Sequence, residues 1–340
     1  MRGALLVALP LLAACAAPVP TAAPPRGGNV ILVTIDGFRW QEAFSGAEEA
    51  LLVKPNVSDP AETRKEFWRE TPEARRETIL PFLWGVVAKE GQILGDPARR
   101  APMTVTNGLN FSYPGYNELL CGFADPQVDS NKKVPNPNVT VLEWLDRRPG
   151  FEGRVAACCS WDVFPSILNS GRSGIQVNAG RSALLEALRA DLPELWHGSE
   201  FDALTFHGAL ERMRSSKPRV LYVAFGETDE FAHSGRYDQY LRSARRSDDF
   251  IRRLWEAAQA MAEYRGRTSL LITVDHGRGD APVEWKDHGK KVKGAEFVWA
   301  ALLGPSVAPM GVRSDLAGLT QSRVAATVAA LAGEDYRAAG

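Results

Sequence analysis

Seven side chains spread between positions 36 and 288 have the types that hold divalent cations and activate an oxygen. Asp229 and His233 stand four residues apart in Glu227-Thr228-Asp229-Glu230-Phe231-Ala232-His233. Asp275 and His276 follow the apolar run Ser269-Leu270-Leu271-Ile272-Thr273-Val274, and His288 comes twelve residues after His276. Far upstream, Asp36 ends a second apolar run, Asn29-Val30-Ile31-Leu32-Val33-Thr34-Ile35, and Ser112 lies in Phe111-Ser112-Tyr113-Pro114-Gly115-Tyr116. Carboxylates, imidazoles and a hydroxyl are the donors two neighbouring zinc-type ions need where an oxygen nucleophile must form near neutral pH. The set reads as that of a hydrolase.

The local spacings fit this chemistry. An i, i+4 pair such as Asp229 and His233 shares one side of a helical turn. Asp275 and His276 are adjacent, so in a strand they would face opposite ways. Both reach one centre only if the chain turns there, and Gly277 and Gly279 are expected to supply the turn. Pro114 favours a helix start, which places Ser112 at a helix N-terminus, where free N–H groups favour an alkoxide or a phosphate. Each fragment alone has an ordinary reading, as a helix-start serine, a surface pair or a solvated turn. Of the five histidines, His197 and His207 fall in a different region, which leaves His288 as the third imidazole. Positive groups should meet the non-bridging oxygens of an anionic substrate; by position the candidates are Arg39, Arg172, Lys286 and Lys290.

These residues need a frame. Apolar runs rich in β-branched residues predict strands over 29–35, 154–160, 219–225, 269–274 and 295–303. Amphipathic segments predict helices over 81–89, 181–190, 202–213, 238–262 and 322–332. Their alternation implies an α/β fold with a central, mostly parallel sheet and helices on both faces. Three of the strands end at the motif residues, and ligand groups in such sheets gather at the carboxyl ends of strands. The charged stretch 44–77 has no strand-like run and is expected to be an insertion near the site, a helical cap.

The ordered set resembles the alkaline phosphatase superfamily, and most closely its type I phosphodiesterase/nucleotide pyrophosphatase-related branch, from about Val30 to about Leu303. The resemblance implies a catalytic domain over 29–340 with two divalent metal ions of the zinc type. It implies that Asp36, Ser112, Asp275 and His276 hold one ion and that Asp229, His233 and His288 hold the other. It also implies that Ser112 is the nucleophile attacking a phosphate monoester or diester, a small-molecule substrate. The chain departs from the branch in carrying Ser for the usual Thr, and Gly115 where an Asn contacts phosphate, with Asn117 two places on. Sulfatase-like and phosphomutase-like members stay open as alternatives, as does a lipoprotein that only binds a ligand.

The 340 residues are 45% apolar with a formal net charge of −1, which suits a large globular core and gives no reason to expect nucleic acid as a partner. Met1-Arg2 and the apolar stretch from Gly3 to Leu12 form a signal peptide over 1–14, too short for a stable membrane span. Leu12-Ala13-Ala14-Cys15 resembles a bacterial lipobox, which implies lipidation of Cys15, a flexible tether over 15–28 and attachment to the outer membrane facing the periplasm. Cys121, Cys158 and Cys159 read as small buried hydrophobes. The Cys15 expectation has a direct check: the protein should incorporate a fatty-acid probe, and Cys15→Ser should lose both the label and membrane association. Equal attachment of the Cys15→Ser chain would remove the anchor.

Overall fold

The structure is a computed structural model that describes residues 28–336; the signal peptide, Cys15 and all but the last residue of the tether lie outside this range. The described residues contain strands β1 (Asn29–Ile35), β2 (Gln92–Leu94), β3 (Met103–Thr104), β4 (Val155–Cys159) and β5 (Val220–Phe225). Further along are β6 (Thr268–Thr273), β7 (Phe297–Val298), β8 (Ala300–Leu303), β9 (Gly311–Val312) and β10 (Leu319–Thr320). Seven of them form the main sheet in the order β4-β5-β1-β6-β8-β2-β9, and β10-β3-β7 form a small second sheet.

The four apolar runs β4, β5, β1 and β6 pair in parallel, with Val33 of β1 set between Val223 and Ile272. Every residue of these strands is buried. That pattern needs cover on both faces, as all-parallel strands do. The expected single strand over 295–303 is two. It breaks at Trp299, which is buried and donates its indole N–H to the Phe38 carbonyl at 3.1 Å. The break lets β7 join the small sheet while β8 runs antiparallel to β6. The short strands β2, β3, β9 and β10 carried no legible signal.

The expected helices are present with shifted ends, at Ala183–Asp191, Asp202–Ser216, Tyr237–Ala260 and Arg323–Ala332. The helix expected over 81–89 instead contains a π-helical turn, Leu83–Val87, whose start is fixed by the buried Asp248 carboxylate accepting from the Phe82 and Leu83 amides. The stretch 44–77 is largely helical. Its helices Pro60–Phe67 and Pro72–Ile79 are capped by Asp59 and Thr71 and begin with proline. They lie against Tyr237–Ala260, where Arg242 and Arg245 pair with Glu66. Cys121, Cys158 and Cys159 are free and buried, and burial pushes the Cys121 and Cys158 thiols up to about 12.

Arg39 ties these layers together. It is fully buried, pairs with Glu42 and Glu48, and donates to the Gly279 carbonyl at 2.9 Å. Glu42 also accepts from the hydroxyls of Tyr237 (2.8 Å) and Tyr240 (3.3 Å). Arg39 is thus spent on structure and is not the substrate contact its position suggested. Removing one partner of such a pair strands the other charge, so Arg39→Ala should lower unfolding free energy by about 3–5 kcal/mol in urea denaturation. A loss of less than about 1 kcal/mol would mean that water or a repacked side chain replaces it.

Candidate metal centre

Asp36 follows β1, Asp275 and His276 follow β6, and Asp229 and His233 ride on the short helix Glu227–His233 after β5. Because β5, β1 and β6 are neighbours, their carboxyl ends meet in one crevice. Ser112 opens the helix Ser112–Cys121, and His288 arrives from the loop after the turn Glu284–Lys286. The structure brings all seven residues together.

The geometry centres on His276 Nε2. Asp36 Oδ1, Asp275 Oδ2 and Ser112 Oγ each lie 3.4 Å from it. His276 Nδ1 donates to the Gly277 carbonyl at 2.8 Å, so in the neutral ring Nε2 presents a lone pair to two carboxylate oxygens. Those same atoms, Asp36 Oδ1 and Asp275 Oδ2, are buried and have no hydrogen-bond partner. The other oxygens are satisfied: Tyr116 donates its hydroxyl to Asp36 Oδ2 at 2.9 Å, and the Gly37 amide donates to Asp275 Oδ1 at 3.0 Å. One proton could serve only one of these gaps. A tetrahedral ion with bonds of about 2.1 Å sets its ligands about 3.4 Å apart, and the three separations from His276 Nε2 match that spacing.

A second group adjoins the first. His233 Nε2 lies 3.1 Å from Asp229 Oδ2 and 2.9 Å from His288 Nε2, which is itself 3.7 Å from Asp229 Oδ1. His288 Nδ1 donates to the Asn110 carbonyl at 3.3 Å, leaving Nε2 to face the site. His276 Nε2 is 3.8 Å from Asp229 Oδ1, so this imidazole borders both groups rather than the first alone.

Charge is concentrated here. Burial, then the neighbouring Asp229 charge, pushes the Asp36 carboxyl well above its usual range; burial and Asp36 do the same to Asp275. Burial also raises Asp229, but Arg278 and the His233 hydrogen bond outweigh it and hold that carboxyl well below the usual range. Burial and the adjacent His276 lower His288 to about 2. The raised carboxyls mark a site that disfavours unpaired negative charge and would be relieved by a cation, while the lowered His288 stays a neutral imidazole able to donate a lone pair.

Glycines let the chain crowd in. Gly37 has φ +57°, and a Cβ there would sit 2.6 Å from Asp229 Oδ1. A Cβ on Gly115 would meet the Asp275 carbonyl at 2.4 Å, so Ser112–Cys121 packs on the end of β6 where any side chain would collide. Gly277 was expected to supply the turn. The bend instead falls at Asp275, and Gly277 is required because a Cβ would meet the Phe297 carbonyl at 2.3 Å.

Several expected contacts are elsewhere. Arg172 is held by both oxygens of Glu143 and by the Asn136 and Pro137 carbonyls. Asn117 is buried and spends its amide on Phe123, Asn136 and Asn138. Neither Lys286 nor Lys290 lines the cavity over the ligands, and His207 is exposed on its helix. The cavity, ≈ 190 Å³, is walled by Asn131, Trp161, Ser199 and Glu230 and by none of the 44–77 insertion, so the expected cap does not cover it. The insertion's charged helices are drawn to the arginines of Tyr237–Ala260 instead.

Residues unnoticed in the sequence matter here. Arg278 is buried, pairs with the Asp229 carboxylate and donates to the Gly37 and Lys286 carbonyls; its place two residues after His276 was the available signal. Asn131 accepts from the Tyr113 amide at 2.9 Å through Oδ1, which leaves its NH₂ group as a donor at the cavity wall. Asp202 and Glu227 cap each other's helices. Asp202 accepts from the Gly226 and Glu227 amides at 2.7 and 3.1 Å, and Glu227 accepts from the Asp202 amide at 3.2 Å. Asp202 therefore fixes the start of the helix carrying Asp229 and His233. Asp202→Ala should fold yet bind zinc roughly ten- to a hundredfold more weakly in competition with a chromogenic chelator. Unchanged affinity would show that the helix holds its place without Asp202.

The sequence model of the type I phosphodiesterase/nucleotide pyrophosphatase family matches residues 52–298. No curated protein matches. Among solved structures, phosphonate monoester hydrolase of Agrobacterium radiobacter aligns at 14% identity with TM-score 0.56, over 90% of this chain and 74% of its own. A protein of the alkaline phosphatase superfamily from Vibrio parahaemolyticus aligns at 12% identity with TM-score 0.54, over 92% and 68%. The 2-O GAG sulfatase BT1596 aligns at 13% identity with TM-score 0.56, over 92% and 72%. At these identities the likeness is one of fold.

Proposed function

Because the chain belongs to the type I phosphodiesterase/nucleotide pyrophosphatase family, within the alkaline phosphatase superfamily, we propose that it hydrolyses phosphate esters with Ser112 as the attacking group. The observation that carries this reading is the set of three oxygens, two of them orphaned and one the Ser112 hydroxyl, all 3.4 Å from one imidazole nitrogen. Asp36, Ser112, Asp275 and His276 would hold one divalent cation of the zinc type, and Asp229, His233 and His288, bordered by His276, a second. Such cations supply Lewis acidity that makes a hydroxyl nucleophilic at neutral pH and offsets phosphoryl charge.

The chain's own residues supply the rest. Ser112 is almost fully buried at the first position of a ten-residue helix, so its oxygen and the incoming phosphoryl group face the helix's free N–H end. The Asn131 amide offers a further donor to a non-bridging oxygen. Ser112 Oγ forms a bond to phosphorus as the ester P–O bond breaks and the leaving alkoxide takes up a proton. Water then cleaves the phosphoseryl ester, returning phosphate and free serine. The lipobox supports placing this hydrolase on the envelope through Cys15, at the outer membrane facing the periplasm.

Ser112→Ala should keep the fold and lose roughly a thousandfold or more in kcat on phosphate esters, whereas Ser112→Thr should keep partial activity. Acid quenching of wild type with a labelled phosphate ester should leave phosphate on Ser112. Near wild-type turnover by Ser112→Ala, or activity confined to sulfate esters, would refute the assignment.

A further inference from the structure

The cavity over Ser112 is small, ≈ 190 Å³, room for a phosphoryl group and a few further atoms. The remainder of any substrate must lie outside it. A groove of ≈ 500 Å³ shares Trp161 and Ser199 with the cavity and so adjoins it. A second groove of similar size, ≈ 520 Å³ and lined by Lys290, Lys291 and Lys293, shares no residue with the cavity.

The shared groove ends on an exposed apolar stripe. Helix Ala183–Asp191 buries only Leu185. Leu184, Leu188 and Leu192, four residues apart and therefore along one face, are 70%, 48% and 43% exposed. Leu192 itself lines the groove, so the stripe and the groove are continuous. Eight helical residues span about 12 Å, which makes a track from the groove mouth back to Leu184. Two exposed leucines on one face of this helix, continued by Leu192 at its C-cap, make a surface suited to something apolar.

Building on the proposed phosphate ester hydrolysis, we propose that the substrate is an amphiphile: a phosphate ester whose leaving group carries an alkyl chain. The phosphoryl group sits in the cavity, the polar part of the leaving group passes Trp161, and the chain lies along Leu192, Leu188 and Leu184. The occupant of the stripe is the substrate's own chain.

The test uses the full chain loaded with zinc, and ligands kept below their micelle concentrations. Alkylphosphonates of two to eighteen carbons, which cannot be hydrolysed, report binding by calorimetry; the matching alkyl phosphate esters report turnover. Affinity and kcat/KM should rise roughly two- to fourfold per methylene until the stripe is covered, the upper figure being that for full burial. Leu184→Ser/Leu188→Ser should flatten this dependence, so that the ratio of long-chain to short-chain binding falls towards one. Binding independent of chain length, or equally steep in the double variant, overturns the proposal. If no ester of any length is turned over while chain-dependent binding persists, the stripe stands and the hydrolase reading fails.

Discussion

Three carboxylates, two of them buried, crowd around the buried imidazole of His276, and much of the surrounding structure keeps that costly arrangement from relaxing. Anionic groups in a low-dielectric interior must be protonated, paired or bound to cations. Here the pairing is incomplete by design of the fold: Arg278 serves Asp229, Tyr116 and the Gly37 amide serve one oxygen each of Asp36 and Asp275, and the two remaining oxygens are left facing His276. Nothing among the described residues satisfies them. A cation would.

The rest of the molecule can be understood as scaffolding for that imbalance. Parallel strands bring their carboxyl ends side by side, so residues more than 200 positions apart become neighbours without long loops. Gly37 and Gly115 remove the side chains that would push the ligands apart. Gln321 donates to the Val274 and Asp275 carbonyls at 3.0 and 2.8 Å, and Arg39 grips the Gly279 carbonyl, so the loop bearing Asp275 and His276 is pinned from both sides. The reciprocal caps of Asp202 and Glu227 pin the helix bearing Asp229 and His233.

The strands and the ligand types were legible because each depends on local pattern: a buried parallel strand is a continuous apolar run, and a carboxylate or imidazole at its end is conspicuous. What escaped depends on which side chain finds which partner. Arg39, Arg172 and Asn117 had suitable chemistry but are taken up by Glu48, Glu143 and Asn136, pairings that sequence spacing does not reveal. Asn131 was invisible for the opposite reason, since it lies in a polar loop and gains meaning only when Tyr113 fixes its amide. The insertion 44–77 was recognisable as helical, but its docking was decided by Glu66 meeting Arg242 and Arg245 far along the chain.

The most direct test of this account is the divalent metal content of the wild-type protein, counted by native mass spectrometry as purified, after chelation, and after zinc is returned. The account predicts two ions per chain, lost to the chelator together with activity and regained with zinc. A chain that takes up no ion, or that hydrolyses phosphate esters at full rate after complete stripping, would contradict it.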